Sequence, residues 1–306
     1  MCRDYISCFS LSTQGGVNLN EVYEIGIVGR IRIDAHSLNN EGTVGNVTEP
    51  RTIVLADGRK TDGISGEMLK HIHTEAFWQL AKEQNIPLCI ACQTLRPEKA
   101  NKNPEVTKFK GTKEALDKVL NEALKCALCD VHGFLVEQPT LSRKSTIEFG
   151  WAIAIPEQFY RDIHVHRRVA PGEKGKEAET EQMIYNRPTR SGVYAFVSIF
   201  QPWRIGLNEI NYGYVPDNED RKQRYDLVID AYKAMLSRLE GAMTTTRLPH
   251  TSEIEGLIII ATNAMPVPLI SPLKDDYKEQ IEKIVESKNI QKIYKNSIRY
   301  LLHYKN

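Results

Sequence analysis

The chain has 306 residues, 41% hydrophobic and 26% charged, with a net charge of only +1. That balance suits a globular protein with a sizeable core, and no apolar run approaches the ~20 residues needed to cross a bilayer. It also argues against a duplex-wrapping protein, which needs a far more basic surface, so a nucleic-acid site here has to be a local groove. Balanced charge equally suits a chain that packs against copies of itself. The first residues, Met1-Cys2-Arg3-Asp4-Tyr5, lack a signal-peptide pattern. The expectation is a cytoplasmic protein without membrane contact. The length allows one domain with insertions or two domains; the reading adopted is one domain spanning 1–306.

In chain order, alternation of Ile27, Ile31 and Ile33 with Arg30 and Arg32 predicts a strand over 23–38. A polar, Asn/Gly-rich loop follows and ends at Ile64-Ser65-Gly66. A helix is predicted over 66–83, with Leu69, Ile72, Phe77 and Leu80 on one face and Lys70, His71 and His73 in its opening turns. A second helix is predicted over 112–126, with Thr112 as its cap. Strands are predicted at 133–137, 146–155 and 192–200, and a long helix at 220–240. The apolar run 256–262 (GLIIIAT) reads as a buried strand, and two lysine-rich helices are predicted at 274–287 and 290–303. Without its insertions this is a β-α-β-β-α-β order, the ferredoxin-like arrangement of an α+β fold. The insertions are 86–130, cysteine-rich and helical, and 156–190, whose tip PGEKGKEAETEQ has no apolar periodicity.

The loop and helix of 29–73 suit an anionic backbone and contain neither a P-loop nor a dinucleotide fingerprint. Lys70 and His71 add charge to the positive end of the helix dipole. Ser65 can cap the helix or donate to a phosphate, and Gly66 allows a backbone to approach closely. Asn39 and Asn40 can bond ribose or phosphate, or simply make a turn. His71 and His73, two residues apart, face different ways on a helix and make a poor metal pair. His164 and His166 share one face of an extended stretch; beside Arg167 and Arg168, an anion contact is the better reading than a metal.

Cys89-x-x-Cys92 and Cys126-x-x-Cys129 are separated by 33 residues. Two such pairs can offer four thiolates to one structural zinc ion, which would leave no open position for catalysis. Two disulfides or four free buried thiols are the alternatives, and His132 could replace one ligand. Cys2 and Cys8 are read as incidental.

The order of several motifs carries a resemblance. SLNNEG at 37–42 followed by ISGEMLKHIH at 64–73 resembles the paired loop and helix of the backbone subunit of type I CRISPR Cascade, in the archaeal DevR-type branch of the RAMP superfamily. Distant type I relatives carry SLNRD and SSQSLKR stretches where this chain has Ser37-Leu38-Asn39-Asn40 and Ser65-Gly66-Glu67-Met68-Leu69-Lys70-His71. The likeness continues through GWAIAIP, through Asn186-Arg187 ahead of Ser191-Gly192-Val193-Tyr194, and through 241–250.

The resemblance implies a modified RNA-recognition fold, with 156–190 as a β-hairpin thumb that reaches over bound RNA and wedges between bases. It implies a non-catalytic subunit whose copies pack head-to-tail along CRISPR guide RNA. That packing would present the guide for pairing with target DNA in company with other Cascade subunits. Expected RNA contacts are Ser37, Asn39, Asn40, Ser65, Gly66, Lys70, His71 and His73. Further contacts are expected from His166, Arg167 and Arg168 in the thumb, Arg187 and Arg190 where it rejoins the core, and Arg247 and His250 in a Gly-bounded loop. Thr244, Thr245 and Thr246 stand where more basic residues would be expected. Two other readings compete. One is a metal-dependent RNA-cleaving subunit using Asp34, although two-metal hydrolysis needs several converging carboxylates. The other is a zinc-containing transcriptional autoregulator, against which stand the neutral charge and the lack of a helix-turn-helix pattern.

Overall fold

The computed structural model describes residues 22–45, 47–109, 116–169, 182–241, 243–288 and 292–295. From the N-terminal side the elements are β1 (Glu24–His36), β2 (Asn40–Val44), β3 (Val47–Pro50), β4 (Thr52–Val54), β5 (Lys60–Ile64) and α1 (Gly66–Glu83). Next come α2 (Ile90–Gln93), α3 (Pro104–Thr107), α4 (Leu116–Leu124), α5 (Ala127–His132), β6 (Phe134–Val136), β7 (Leu141–Arg143) and β8 (Ile147–Phe149). The chain continues with β9 (Ala152–Val169), β10 (Gln182–Phe200), α6 (Asn218–Ser237), β11 (His250–Ala261), α7 (Tyr277–Lys288) and β12 (Lys292–Lys295). The fold is mixed α/β, and no described helix is long and apolar enough to cross a membrane.

The main sheet runs β12-β11-β1-β10-β9-β5-β4. Within it β1, α1, β9, β10, α6 and β11 follow one another in the chain as β-α-β-β-α-β, and the four strands lie side by side as β11-β1-β10-β9. All three contacts between them are antiparallel. Alternation sends Ile25, Ile27, Ile31 and Ile33 of β1 to one face, where Tyr194, Phe196 and Phe200 of β10 join them. Leu69, Ile72 and Phe77 of α1 and Leu227, Val228, Ala231 and Met235 of α6 close that core. The other face carries Val28, Leu257 and Ile259, covered by Val267 and by Tyr277, Ile281 and Val285 of α7. Strand β11 is thus covered on both faces, which explains its unbroken apolar run.

Several expectations change. The loop after β1 contains two antiparallel hairpins, β2–β3 and β4–β5. Helix α6 begins at Asn218 because Asp217 caps it, accepting from the Asp220 amide. The predicted strand 146–155 is interrupted by Gly150 and Trp151. Over 156–190, β9 and β10 run on past the sheet as one antiparallel ribbon, paired as far as Val169 and Gln182. The helix predicted at 290–303 is corrected at 292–295, which pair with β11 as a strand; the β-branched and aromatic pair Ile293-Tyr294 in that stretch suits a strand. The remainder of that prediction, the Thr112 cap, the 170–181 tip and Cys2 and Cys8 lie outside the described residues.

Candidate nucleic-acid interface and metal centre

The loop joining β1 to β2 folds back at the end of β1, and polar groups in and around it hold it there. Ala35 and Asn39 both take φ 55°, a left-handed conformation that Asn tolerates and Ala disfavours. His36 Nδ1 accepts from the Leu38 amide at 3.3 Å, so Nε2 carries the proton and donates to Tyr194 Oη at 2.8 Å. Tyr194 donates in turn to Asp62 Oδ2 at 2.7 Å, and Arg190 Nη1 donates to Asp62 Oδ1 at 2.7 Å. The second Arg190 nitrogen donates to the Leu38 carbonyl, and Ser37 Oγ donates to the Pro188 carbonyl. Asn39 Oδ1 accepts from the Ser65 amide at 2.6 Å. Burial holds the His36 imidazole well below its ordinary pKa, helped by the Arg190 charge. Burial pushes the Asp62 carboxyl up against the pull of Arg190.

This geometry corrects part of the expected contact set. Ser37, His73 and Arg190 are 0% exposed, Ser65 2% and Asn39 7%. Their side chains turn inward because a loop packed against a core must satisfy its own donors and acceptors. Ser65 is the cap of α1, accepting from the Met68 amide at 3.2 Å. Gly66 is required by the fold, since a Cβ there would overlap the Phe149 carbonyl oxygen. His73 lies among Tyr232, Phe149 and His132, and its Nε2 donates to the Val228 carbonyl at 3.2 Å. Burial lowers its pKa to about 3.

Helix α1 also separates residues expected to act together. Met68 and Ile72 point toward Gly241, on one flank. Lys70 lies on the other flank, under the charges of Lys99 and Glu148, and burial lowers its pKa. His71 is half exposed and faces Glu75 at 3.5 Å.

A solvent-facing polar surface forms elsewhere, where the β9–β10 ribbon meets the segment leading into β11. His164 pairs in register with Arg187, and Asp162 with Thr189, so these four share a face of the ribbon. Arg247 Nη2 donates to His166 Nε2 at 2.9 Å. Partial desolvation lowers the His166 pKa, with Arg247 and Arg187 adding to the effect. Asn40 Nδ2 contacts Met243 Sδ at 3.3 Å, which ties this segment to the β1–β2 loop. Thr245 and Thr246 are exposed beside it, and exposed His250 opens β11 opposite Asp34. Arg167 and Arg168 pair in register with Ile184 and Met183. Of the expected contacts, the structure therefore gathers Asn40, His166, Arg187 and Arg247 in one region. The sequence reading missed His36, Asp62 and Tyr194, which share no local pattern, and Met243.

The four paired cysteines converge. Cys89 and Cys126 stand at the N-caps of α2 and α5, and Cys92 and Cys129 lie one turn on. All four thiols are free, and their sulfurs lie within 4.8 Å of one another. Cys89 and Cys92 are 3.9 and 3.6 Å from Cys129. Four sulfurs each ~2.3 Å from one zinc would stand about 3.8 Å apart in a tetrahedron, so the donor set fits that ion. His132 is not among the converging donors; its Nδ1 lies within 2.9 Å of Thr74 Oγ1. Beside Cys129, the fully buried Asp130 accepts from Arg143 at 2.6 Å, Arg224 at 2.8 Å and the Gly206 amide at 2.8 Å. These bonds lock α5 onto α6 and the 200–210 segment.

Comparison with known proteins agrees with this architecture. The family model "CRISPR-associated negative auto-regulator DevR/Csa2" matches residues 27–282. A "CRISPR-associated protein Cas7/Cst2/DevR" of Methanocaldococcus jannaschii is 27% identical over 85% of this chain and 88% of its own length. A "CRISPR-associated aCascade subunit Cas7/Csa2 2" of Saccharolobus solfataricus is 26% identical over 85% of this chain and 86% of its own length. Among solved structures, one chain of a "CRISPR RNA-guided surveillance complex, pre-nicking" shares the fold. Its TM-score is 0.52 at 10% identity, over 88% of this chain and 90% of that one.

Proposed function

The chain belongs to the DevR/Csa2 family of CRISPR-associated proteins, and from that premise we propose that it is a non-catalytic RNA-binding subunit of a type I Cascade complex. Copies pack head-to-tail along CRISPR guide RNA, hold its backbone and leave bases free to pair with target DNA in the cytoplasm. The strand order β11-β1-β10-β9 with α1 and α6 on one face supports a ferredoxin-like, RNA-recognition-type core.

The observation that carries this reading is the junction of ribbon and loop. There Arg247 meets His166 on the ribbon face that also carries His164 and Arg187. Cations and hydroxyls facing solvent beside an extended ribbon suit a single-stranded backbone. His71, His250, Arg167, Arg168 and, on its own flank, Lys70 are further candidate contacts. Purification from the native host and sequencing of the co-purifying RNA tests the reading. Guide RNA on a ladder of subunit copies is expected, and protein that carries no guide RNA overturns it.

The four cysteines are read as a structural zinc centre. Among the described residues they are the one cluster able to hold a metal, and four thiolates close the coordination sphere. Asp34 lies within β1, opposite His250, and belongs to no such cluster. Incubation with guide RNA, complementary RNA and magnesium is expected to leave the target intact.

A further inference from the structure

Resting on the zinc reading of the four cysteines, we propose that Lys99 is the counter-cation of the metal centre. It balances the charge of the zinc tetrathiolate and so sets how tightly the metal is held.

When Zn²⁺ binds, four thiols release their protons to solvent, and the centre is left with a net charge of −2. Cys92, Cys126 and Cys129 are buried and Cys89 is half-buried. A dianion in that setting is expensive unless a cation stands beside it.

Lys99 stands at the end of the helix that carries two of the cysteines. Its Nζ donates to the carbonyls of His132 at 3.2 Å and Gly133 at 2.9 Å. These lie at the end of α5, whose first turn carries Cys126 and Cys129. Both partners are neutral, and no described carboxylate forms an ion pair with Lys99. Burial lowers the Lys99 pKa, and the charges of Cys129, Cys92 and Cys126 oppose that shift. The backbone points the same way. Lys99 takes φ 48°, a left-handed conformation unfavourable for a residue with a side chain. A tight turn holds it there, with the Lys99 amide bonded to the Arg96 carbonyl at 3.2 Å and the Asn101 amide to Glu98 at 3.0 Å. Local strain of this kind persists where the surroundings over-determine it and a side chain has to be aimed.

Three variants separate charge from hydrogen bonding. Lys99→Arg keeps the charge, Lys99→Gln keeps a donor for the two carbonyls, and Lys99→Met keeps neither. Zinc content is measured on the purified full chain, and zinc affinity by competition with a chromophoric chelator. Cobalt(II) is then titrated into the demetallated protein to report the tetrathiolate geometry. Because metal addition drives folding of such a site, a variant that is loose without zinc still yields an affinity. Both uncharged variants are expected to hold zinc about tenfold or more weaker than wild type, with Lys99→Arg close to wild type. A Lys99→Gln protein with wild-type affinity overturns the counter-cation role and leaves Lys99 as a helix-end donor. A wild-type chain with no zinc and four thiols open to alkylation overturns the zinc reading itself, and this inference with it.

Discussion

The β1–β2 loop and the ribbon junction use similar residue types to opposite ends. Around the loop, Arg190 of β10, His36 at the end of β1, Ser37 and Asn39 spend their polar atoms on Asp62, Tyr194, Pro188 and Ser65, out of reach of solvent. At the junction, His164 is half exposed and Arg247 and His166 keep part of their surface in solvent. The comparison teaches that Arg, His, Ser and Asn beside a bent strand end are what RNA binding needs and equally what a buried bend needs. Burial decides between the two, and burial is a property of the assembled sheet. The loop then acts as a support: it fixes the start of α1 through Ser65 and the neighbouring segment through Met243.

Acid should produce the largest effect. His36, His73 and His132 are held neutral by burial, below the ordinary value of 6.5. Below that value the unfolded chain binds protons that the native chain refuses, so stability present at neutral pH is lost as pH falls. Over the 1.5 units down to pH 5 each histidine can contribute up to about 2 kcal/mol. Urea unfolding at pH 7 and pH 5 reads this, and equal midpoints would contradict the burial of these rings.

Asp62→Ala should follow, at about 3–5 kcal/mol, because it leaves the Arg190 guanidinium buried without its carboxylate. Denaturation of RNA-free protein checks it, and a change below ~1 kcal/mol would mean the network is open to water. Gly66→Ala, which forces a methyl group against the Phe149 carbonyl, should cost about 1–3 kcal/mol in the same assay.

On the other side of the comparison, Arg187→Ala with Arg247→Ala should shift stability by no more than about 1 kcal/mol. The pair should nevertheless weaken single-stranded RNA binding and flatten its salt slope by about 1.4, the share of two phosphate contacts. An unchanged slope removes the junction from the interface. The smallest effect is expected of His71→Ala: its pair with Glu75 is exposed, and stability should hold within about 0.5 kcal/mol.

Much of the fold was legible. The span of α1 and its Ser65 cap follow from apolar spacing and a hydroxyl at the right place. The run 256–262 announced a strand covered on both faces. The CxxC spacing pointed to one four-sulfur cluster, because each pair needs only a single turn of chain to present both of its sulfurs. What failed was set by distant partners. Lys292–Lys295 reads as helix in isolation and is drawn into the sheet by the free edge of β11.

Short stretches of sequence sufficed for the order of the core elements, the two CxxC motifs and the motif order that marks the family. Each of these is written in short-range periodicity or spacing. Only the tertiary structure decided which polar side chains face inward. The Asp62–Arg190 pair spans 128 positions and the contact of His166 with Arg247 spans 81. At such separations residue type carries no direction, and the sheet register fixes where each side chain points.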